Sequence, residues 1–409
     1  MKSPDEELAI RIVGSVGELD AAAWDGLDHG PSPFLKSGFL RALEESGSID
    51  AATAQRRRQS SGWTSVYILA EQAQPSGSGG AQPAGQRKLV GGVAAFIKTH
   101  SYGEYIFDWG WANASERAGI AYYPKLVIAA PATPATGPRI LLAPDAPAHT
   151  FAALIAGVRA LADDAEVGSI HWLFCTEQEQ AKLAAHDFFQ RTTMQFHWKN
   201  RGYRSFDEFL GALKSRKRKQ LRKERQKAKA AIDSLVWKTG RELDQAQLDD
   251  LDRFYRNTTD NHGGRDYLRP GFFHALAKYL PDETRMVQVE QAGKRIAGAL
   301  FLETTGALYG RYWGADTHVD MLHFETAYYA GIEHAIEREL PLFEAGAQGE
   351  HKLVRGFEPS PTFSSHWIRH RGLSHAIEDH VAREKLAMER EIAEMSKYGP
   401  YRDAGDDDG

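Results

Sequence analysis

The densest group of reactive side chains in the sequence follows a short apolar segment, residues 341–343. A carboxylate or an imidazole can accept a proton, and a lysine or an arginine can hold a phosphate or stabilise a developing negative charge. Within a dozen positions the chain carries all of these groups: Glu344, Gln348, Glu350, His351, Lys352 and Arg355. This combination predicts a ligand site, and a solvated charged loop is the alternative that spacing alone leaves open.

The neighbouring elements place this stretch at the edge of a sheet. Residues 341–343 follow a helical pattern over 321–340, so we interpret them as a buried strand after a long helix. The polar residues then leave the C-terminal end of that strand, where ligands bind in mixed α/β sheets. Gly346, Gly349 and Gly356 allow the backbone to turn sharply there and to approach a ligand.

The two halves of the chain repeat one order of segments. Three pairs of segments match: 34–43 with 267–276, 89–96 with 295–301, and 108–112 with 311–315. We therefore predict an α/β (α+β) protein of two tandem lobes, 1–202 and 203–409, each a mixed, mostly antiparallel sheet flanked by helices. Chance similarity between strands of like composition is the alternative.

Local patterns predict several further elements. A strand over 105–110 ends in an aromatic cluster, and 72–86, rich in Gly, Ser, Gln and Pro, is predicted to be a disordered loop. In the second lobe, residues 284–290, 295–303 and 307–313 predict an antiparallel meander. A C-terminal helix then precedes an acidic tail.

A strongly basic helix is predicted over 205–232, beginning with a capping box at 205–208. Ten Lys and Arg residues lie between 214 and 229, with Glu224 as the only acid. Repulsion between like charges four positions apart costs roughly 0.2–0.5 kcal/mol per pair, and a bound polyanion relieves it. The functional interpretation is a phosphate-rich partner, namely RNA, a nucleotide-linked precursor or an anionic lipid surface; a solvated basic face is the alternative. The candidate polyanion contacts are Arg216, Arg218, Lys219 and Arg222.

Composition limits the class of protein. The 409 residues predict two domains, and 42% hydrophobic with 26% charged residues is ordinary for a globular protein. The net charge of -5 argues against broad affinity for nucleic acid. No apolar run reaches the roughly 20 residues that span a bilayer, and the N-terminus lacks the apolar core of a secretory signal. With one cysteine, Cys175, and no clustered metal ligands, a cytoplasmic protein without a metal site is expected.

The segment 346–352, Gly-Ala-Gln-Gly-Glu-His-Lys, followed by Arg-Gly-Phe at 355–357, resembles one family. Together with the duplicated unit and the basic helix, it is similar to the FemAB-like peptidoglycan biosynthesis or recognition proteins, within the GNAT acyltransferase superfamily. The likeness extends from Phe34 to Glu384. It implies two GNAT-like lobes and transfer of an acyl or aminoacyl group to an amine on a small-molecule or cell-wall-precursor-like acceptor.

The resemblance implies one of two donors. Fem-type relatives use aminoacyl-tRNA, whereas ordinary GNAT enzymes use acyl-CoA and hold its pyrophosphate in a glycine-rich loop at a helix start. The matching run here, 314–325, has no such loop, and Asp316 and Asp320 would repel a pyrophosphate. No cofactor is therefore assigned, and the sequence leaves the oligomeric state open.

The resemblance also implies roles for individual residues. The candidate catalytic groups are Glu325, His323, Glu350, His351 and Lys352. The candidate substrate-binding residues of the two lobes are Arg355, Gln348, Arg311, Tyr312, Trp313, Asp108, Trp109, Tyr123 and Lys125. Core packing is the alternative role for the aromatic residues. Alternative functions are a non-catalytic protein that recognises a phosphate-bearing ligand and an RNA-binding module centred on the basic helix.

Overall fold

The computed structural model of the protein describes residues 8–53, 60–73, 87–261, 266–347 and 349–402. Residues 74–86 of the predicted loop and the acidic tail over 403–409 lie outside the described residues. Within the part of the chain that is described, no helix is both long enough and apolar enough to span a bilayer.

The chain forms two compact units. The first unit contains Met1–Ala132, Thr136–Thr192 and Thr362–Lys385, and the second contains Thr133–Ala135, Thr193–Pro361 and Leu386–Gly409. Each unit shares most of its residues with one of the predicted lobes, 1–202 and 203–409, although residues 362–385 belong to the first. The duplication that the two lobes imply stays a prediction.

The first unit is built on a mixed sheet. Its elements up to Ala184 are, in chain order, β1 (Leu8–Val13), α1 (Ala21–Asp25), α2 (Ser37–Ser46), β2 (Asp50–Ala51), β3 (Trp63–Ala73), β4 (Arg87–Lys98), α3 (Trp109–Arg117), β5 (Lys125–Ile128), β6 (Leu141–Leu142), α4 (Thr150–Asp164), β7 (Ser169–Cys175) and α5 (Glu177–Ala184). Strands β1, β3, β4 and β5 pair antiparallel in that order, and β7 pairs parallel with β5. The helix α4 buries Leu154, Ile155 and Val158 in the core that β3 and β4 share.

The remaining elements form most of the second unit. In chain order they are β8 (Phe189–Lys199), α6 (Phe206–Gly211), α7 (Ser215–Ala230), β9 (Ser234–Thr239), α8 (Gln245–Asn261), α9 (Phe272–Tyr279), β10 (Thr284–Gln291), β11 (Lys294–Glu303), β12 (Leu308–Ala315), α10 (Leu322–Phe324), α11 (Ala330–Glu337), β13 (Leu342–Glu344), β14 (Glu358–Ile368) and α12 (Arg371–Lys397). In the first unit, residues 363–368 of β14 pair antiparallel with β7.

The sheet of the second unit confirms the predicted antiparallel meander. Strands β9, β10, β11 and β12 pair antiparallel in that order. The short strand β13 then pairs parallel with β12 on one side and antiparallel with β8 on the other. Because β13 follows the helical run over 322–337, the predicted order of helix, buried strand and polar stretch is also present.

The predicted strand over 105–110 is wrong. Tyr105 and Phe107 have positive φ values of 58° and 54°, and the helix α3 begins at Trp109. The carboxylates of Glu104 and Asp108 lie 2.6 and 2.5 Å from the same lysine ammonium group. In a strand, residues four positions apart would be separated by roughly 13 Å, so sharing one cation requires a turn. The segment 108–112 therefore starts a helix, whereas its predicted counterpart 311–315 lies in a strand.

The predicted basic helix over 205–232 is two helices, α6 and α7, with a break at 212–214. At the break the Lys214 N–H donates to the Pro400 carbonyl (2.8 Å), and the Arg402 N–H donates to the Ala212 carbonyl (3.0 Å). These bonds to a distant segment replace the bonds that a continuous helix would make. The predicted N-cap is confirmed, because the Ser205 hydroxyl accepts from the Glu208 N–H (3.1 Å).

The helix predicted over 321–340 contains an irregular turn. Residues Glu325–Tyr329 form a π-helical segment between α10 and α11. A π turn inserts one extra residue into the helix and is frequent at functional sites. Here it turns the side chains of Glu325 and Tyr329 inward, where both are buried.

Close packing at Gly331 of α11 generates a test of this core. A Cβ atom at Gly331 would lie 2.6 Å from the Phe343 ring, which is fully buried against Phe301 and Phe357 and cannot move aside easily. We expect Gly331→Ala to lower the free energy of unfolding by about 1–3 kcal/mol, the usual cost of overpacking a core. Urea unfolding of the purified protein measures it.

The matched control is Gly211→Ala, in the same unit, where an added Cβ meets nothing within 4 Å. This variant is expected to be neutral or stabilising by about 0.5–1 kcal/mol, because alanine restricts the unfolded chain. Equal unfolding free energies for the two variants would contradict the packing described for Gly331.

Candidate functional site

A cavity of about 590 Å³ lies in the second unit, where the parallel strands β12 and β13 separate. The two strands pair only at Leu308–Phe343 and Tyr309–Glu344. Beyond these positions β12 continues beside β11, while the chain after Glu344 turns away through Gly346, whose φ is 84°. The separation leaves space between the strands, which α8 and the π-helical segment help to enclose.

The cavity wall combines aromatic and polar side chains. Aromatic lining residues are Tyr255, Phe301, Tyr312, Trp313 and Tyr328, and polar lining residues are Thr258, Thr259, Arg311, His318 and His323. Such a wall can hold an apolar or planar group and still offer hydrogen bonds to fix its orientation.

One imidazole, His323, belongs to this wall, and a second, His351, contacts the lining residue Tyr328. The His323 ring packs against Trp313 and Tyr328, with ring centroids 4.7 and 5.4 Å apart. The exposed His351 has its Nε2 3.0 Å from the Tyr328 hydroxyl. Partial burial lowers the pKa of His351, and the charges of Arg355 and Lys352 lower it further. A lowered pKa favours the neutral form of His351, which can accept a proton.

A buried ion pair marks the point where the strands separate. One Arg311 Nη lies 3.4 Å from the Glu344 carboxylate, and the other donates to the backbone carbonyls of Gly310 (2.9 Å) and Glu344 (3.2 Å). His197 Nε2 lies 4.0 Å from the second carboxylate oxygen of Glu344. The side chains of Arg311, Glu344 and His197 are all buried. The ion pair therefore holds β12 and β13 together at the point where they separate.

Lys352 lies beside this ion pair and is 1% exposed. Its Nζ donates to the Gly346 carbonyl at 2.7 Å and lies 6.0 Å from the ring of Tyr328, a lining residue of the cavity. Burial lowers the pKa of Lys352 to about 7, and repulsion from Arg311 adds to this while Glu344 opposes it. An amine that changes its charge near pH 7 can serve as a proton acceptor or as a cation.

Two further buried clusters surround the cavity without lining it. Arg355, 4% exposed, donates to Glu224 (2.8 Å) and to the Tyr329 hydroxyl (3.0 Å). Glu325, 1% exposed, accepts three hydrogen bonds from Arg225 at 3.2, 3.0 and 2.9 Å. The carboxylate of Glu325 is therefore engaged in an ion pair.

Several of the residues predicted from the sequence are brought together in this unit. Arg311, Tyr312, Trp313 and His323 line the cavity. Around it lie Glu325, His351, Lys352 and Arg355. Gln348 lies outside the described residues, and nothing is described of the Glu350 side chain. The catalytic and binding roles assigned to these residues stay predictions.

The first-unit candidates lie in a buried network instead of a cavity wall. Lys125 Nζ lies 2.5 Å from Asp108 and 2.6 Å from Glu104, and the Tyr122 hydroxyl donates to Asp108 at 2.6 Å. Burial by itself would raise the pKa of Asp108, but the charge of Lys125, the nearby His171 and the hydrogen bonds from Lys125 and Tyr122 together lower it to about 2. Tyr123 bonds Ser101 at 2.7 Å, and Trp109 is 46% exposed. The role of these four residues, Asp108, Trp109, Tyr123 and Lys125, in substrate binding stays a prediction.

Sequence reasoning missed the contribution of α8 to the cavity. Tyr255, Thr258 and Thr259 follow one another at helical spacing, so they share one face of the helix. That spacing was a usable signal. Glu344 was named only as part of the reactive stretch, and its partners Arg311 and His197 lie on other strands, which spacing could not show.

The basic face of α7 lies near the cavity rim. Arg216, Lys219 and Arg222 are exposed, and Arg218 is partly buried. Lys227 pairs with Asp320 (2.5 Å), which also lies 3.1 Å from Nε2 of His318, a lining residue. Asp316 accepts from Arg253 (2.9 Å) and Asn257 (2.8 Å). Two ion-paired carboxylates thus lie in the segment 314–325, which the sequence resemblance matches to the glycine-rich loop of GNAT enzymes.

The described residues include no group of three or more His, Cys, Asp or Glu side chains that could hold a metal ion. The observed chemistry is that of imidazoles, a low-pKa lysine and buried guanidinium groups.

The sequence matches one known protein family. The model of the FemAB-like family, described as peptidoglycan biosynthesis/recognition, matches residues 15–403. The chain belongs to the FemAB-like family. No curated protein sequence matches the chain. The family predicted from the segment 346–357 is thereby confirmed.

Several solved structures are similar to the chain. FemX is 12% identical, with a TM-score of 0.50 over 88% of this chain and 97% of FemX. The C-terminal domain of a putative lysylphosphatidylglycerol synthetase from Agrobacterium fabrum is 12% identical, with a TM-score of 0.45 over 70% of this chain and 84% of that domain. A tandem GNAT protein from the clavulanic acid biosynthesis pathway is 12% identical, with a TM-score of 0.42 over 88% of this chain and 98% of that protein. The likeness to FemX confirms the predicted α/β class with mixed sheets flanked by helices.

The low pKa of Lys352 predicts how stability depends on pH. The unfolded chain binds a proton at Lys352 up to about pH 10.5, whereas the folded chain releases it near pH 7. The unfolded state therefore binds more protons between these values, so this group makes the free energy of unfolding rise with pH across that window. Lys352→Met removes the contribution. We expect the stability of the wild type relative to Lys352→Met to increase from about pH 7 to about pH 10 in urea unfolding.

Lys397→Met is the control, because Lys397 is exposed and pairs with Glu394 at the surface. Its stability difference from the wild type should stay nearly constant over the same pH range. A constant difference for Lys352→Met as well would show that Lys352 keeps an ordinary pKa.

Proposed function

We propose that this protein transfers an acyl or aminoacyl group from an activated donor to an amine on a small-molecule or cell-wall-precursor-like acceptor. The observation that carries the proposal is the cavity between β12 and β13, with His323 in its wall and His351 and Lys352 beside it. Membership of the FemAB-like family supports a peptidoglycan-related transferase.

The proposed chemistry needs a neutral amine and a polarised carbonyl. The amine nitrogen attacks the donor carbonyl carbon, a C–N bond forms, the bond to the donor oxygen or sulfur breaks, and a base takes the amine proton. His323 and His351 are the bases that we favour. Lys352 as an ammonium ion stabilises the oxyanion, or as a free amine accepts the proton. Glu325 is less suited to the role of base, because Arg225 already binds its carboxylate.

The charges near the cavity favour a polyanionic donor whose phosphates lie outside the cavity. The acyl end would occupy the aromatic cavity, and the exposed cations of α7 would bind phosphates beyond the rim marked by His318 and Lys227. Asp316 and Asp320 oppose a pyrophosphate at the helix start, which argues for aminoacyl-tRNA over acyl-CoA.

A second candidate function is RNA binding without catalysis, which the exposed basic face of α7 favours. A non-catalytic protein that recognises a phosphate-bearing ligand in the cavity is a related alternative. The two experiments below separate these functions from acyl transfer.

The first experiment measures transfer directly. The protein is incubated with amine acceptors and with a panel of aminoacyl-tRNAs and acyl-CoAs, and transferred groups are identified by mass spectrometry. We expect Lys352→Ala to reduce transfer by about a hundredfold or more, the usual cost of losing one group that stabilises an oxyanion. Lys397→Ala, which removes a surface lysine, should keep full activity. Full activity in Lys352→Ala would remove Lys352 from the site, and transfer from no donor would favour the binding functions.

The second experiment tests the polyanion surface on α7. RNA affinity should fall steeply with salt, and joint replacement of Arg216, Lys219 and Arg222 by Ala should lower the slope of log K against log salt by about 0.7 for each lost phosphate contact. The control removes three exposed cations from α12, with Arg383, Arg390 and Lys397 replaced by Ala. Equal loss of slope in both triple variants would show that binding responds only to total charge. Lys352→Ala should bind RNA as the wild type does.

A further inference from the structure

Glu224, the only acid in the basic stretch 214–229, points away from the exposed cations. One of its carboxylate oxygens accepts from Arg355 at 2.8 Å and also from the Tyr329 hydroxyl, and the other accepts from Gln220 at 2.8 Å. Its side chain is 11% exposed, and that of Arg355 is 5% exposed. One carboxylate oxygen is therefore held by buried groups on the inner side of α7, and the other by the exposed Gln220 of the same helix.

Arg355 extends this contact into the reactive stretch. Its Nη1 donates to the His351 backbone carbonyl at 2.8 Å, and its guanidinium lies 3.4 Å from the Phe324 ring centroid. His351 and Lys352 belong to the same short helical turn, Glu350–Arg355. A single guanidinium thus connects one carboxylate of α7 to the backbone next to Lys352.

The neighbouring residue Arg225 makes a second contact from the same turn of α7. It binds Glu325 at 2.9 Å and Glu333 at 2.6 Å. Glu325 and Tyr329 are the first and last residues of the π-helical segment. Two adjacent side chains of α7 therefore fix both ends of the segment that encloses the cavity.

The outer face of these same turns carries closely spaced like charges, of which Arg222 pairs with Asp207 and Lys227 with Asp320. Lys219, Arg222, Lys223 and Lys227 are exposed, and Lys219, Lys223 and Lys227 follow one another at intervals of four residues. Like charges at that spacing weaken a helix, and phosphates bound along it remove the repulsion. Ordering of the outer face therefore also orders the turn that holds Glu224.

We propose that Glu224 is a positioning residue that couples polyanion binding on the outer face of α7 to the segment carrying His351 and Lys352. The coupling rests on the proposed function, because it assumes that α7 binds a phosphate chain. Through Arg355, a bound polyanion holds the reactive turn in place, so that the donor itself completes the site into which its acyl end enters.

Hydrogen–deuterium exchange of the full chain tests the coupling, with and without a short single-stranded RNA. In the wild type, RNA should slow exchange of the amides in residues 350–356 by about fivefold, the lower end of couplings measured between linked sites. Glu224→Gln keeps the shape of the side chain but loses its charge. It should bind RNA within about twofold of the wild type, because Glu224 faces away from the phosphates, yet show no slowing.

Asp207→Asn is the matched control. Asp207, on α6, pairs with Arg222 of α7 at 3.0 Å and is 80% exposed, so the substitution removes the same charge from a contact of α7 without reaching Arg355. It should keep the slowing in full. Arg355→Lys keeps the charge but cannot bind Glu224 and the His351 carbonyl at the same time, so it should lose the slowing as Glu224→Gln does. If circular dichroism shows that Glu224→Gln does not fold, Arg355→Lys provides the test.

The outcomes separate the coupling from the proposed function. Slowing that persists in both Glu224→Gln and Arg355→Lys overturns the role of Glu224. A wild type that binds RNA without any slowing overturns the coupling and leaves the polyanion surface intact. A wild type that does not bind RNA overturns the polyanion surface, and the coupling with it.

Discussion

The separation of β12 from β13 depends on the buried ion pair between Arg311 and Glu344. Two parallel strands that part leave backbone carbonyls without ladder partners, and a buried carbonyl without a partner is costly. The Arg311 guanidinium donates to two such carbonyls, Gly310 and Glu344, while its charge is balanced by the Glu344 carboxylate. One side chain therefore satisfies two backbone carbonyls at the point where the strands separate.

The charged groups around two equally buried lysines explain why their pKa values differ. Lys125 in the first unit has two carboxylates within 2.6 Å, so their attraction outweighs burial and its pKa is raised. Lys352 in the second unit donates to a neutral carbonyl and lies near Arg311, so burial prevails and its pKa falls to about 7. Burial alone would treat both alike. The number of carboxylates in contact makes one lysine a structural cation and leaves the other able to change its charge.

The two faces of the helix α7 differ in exposure and in the groups that they contact. Its outer cations are exposed, whereas Glu224 and Arg225 on its inner side bind Arg355, Glu325 and Glu333. Removing one partner of such a buried pair leaves a charge without compensation, which is why these contacts hold the surrounding segments firmly. The basic composition of α7 thus conceals a pair of residues that belong to the structure around the cavity.

The antiparallel meander of the second unit and the family followed from the sequence alone. Alternating apolar residues predict the strands β10, β11 and β12, and the segment 346–357 carries the FemAB-like resemblance, because both are encoded within a few neighbouring residues. The cap at Ser205 was equally local. Four of the predicted site residues, Arg311, Tyr312, Trp313 and His323, do line the cavity.

Only the tertiary structure decided which charged groups meet. The break between α6 and α7 depends on hydrogen bonds to Pro400 and Arg402, nearly two hundred positions away, and the turn at 105–108 depends on Lys125. The partner of Glu325 is Arg225, a hundred positions earlier. Local periodicity reports which face of an element is buried, but the free energy of a buried charge depends on the distance to its partner, and that distance is set by the fold.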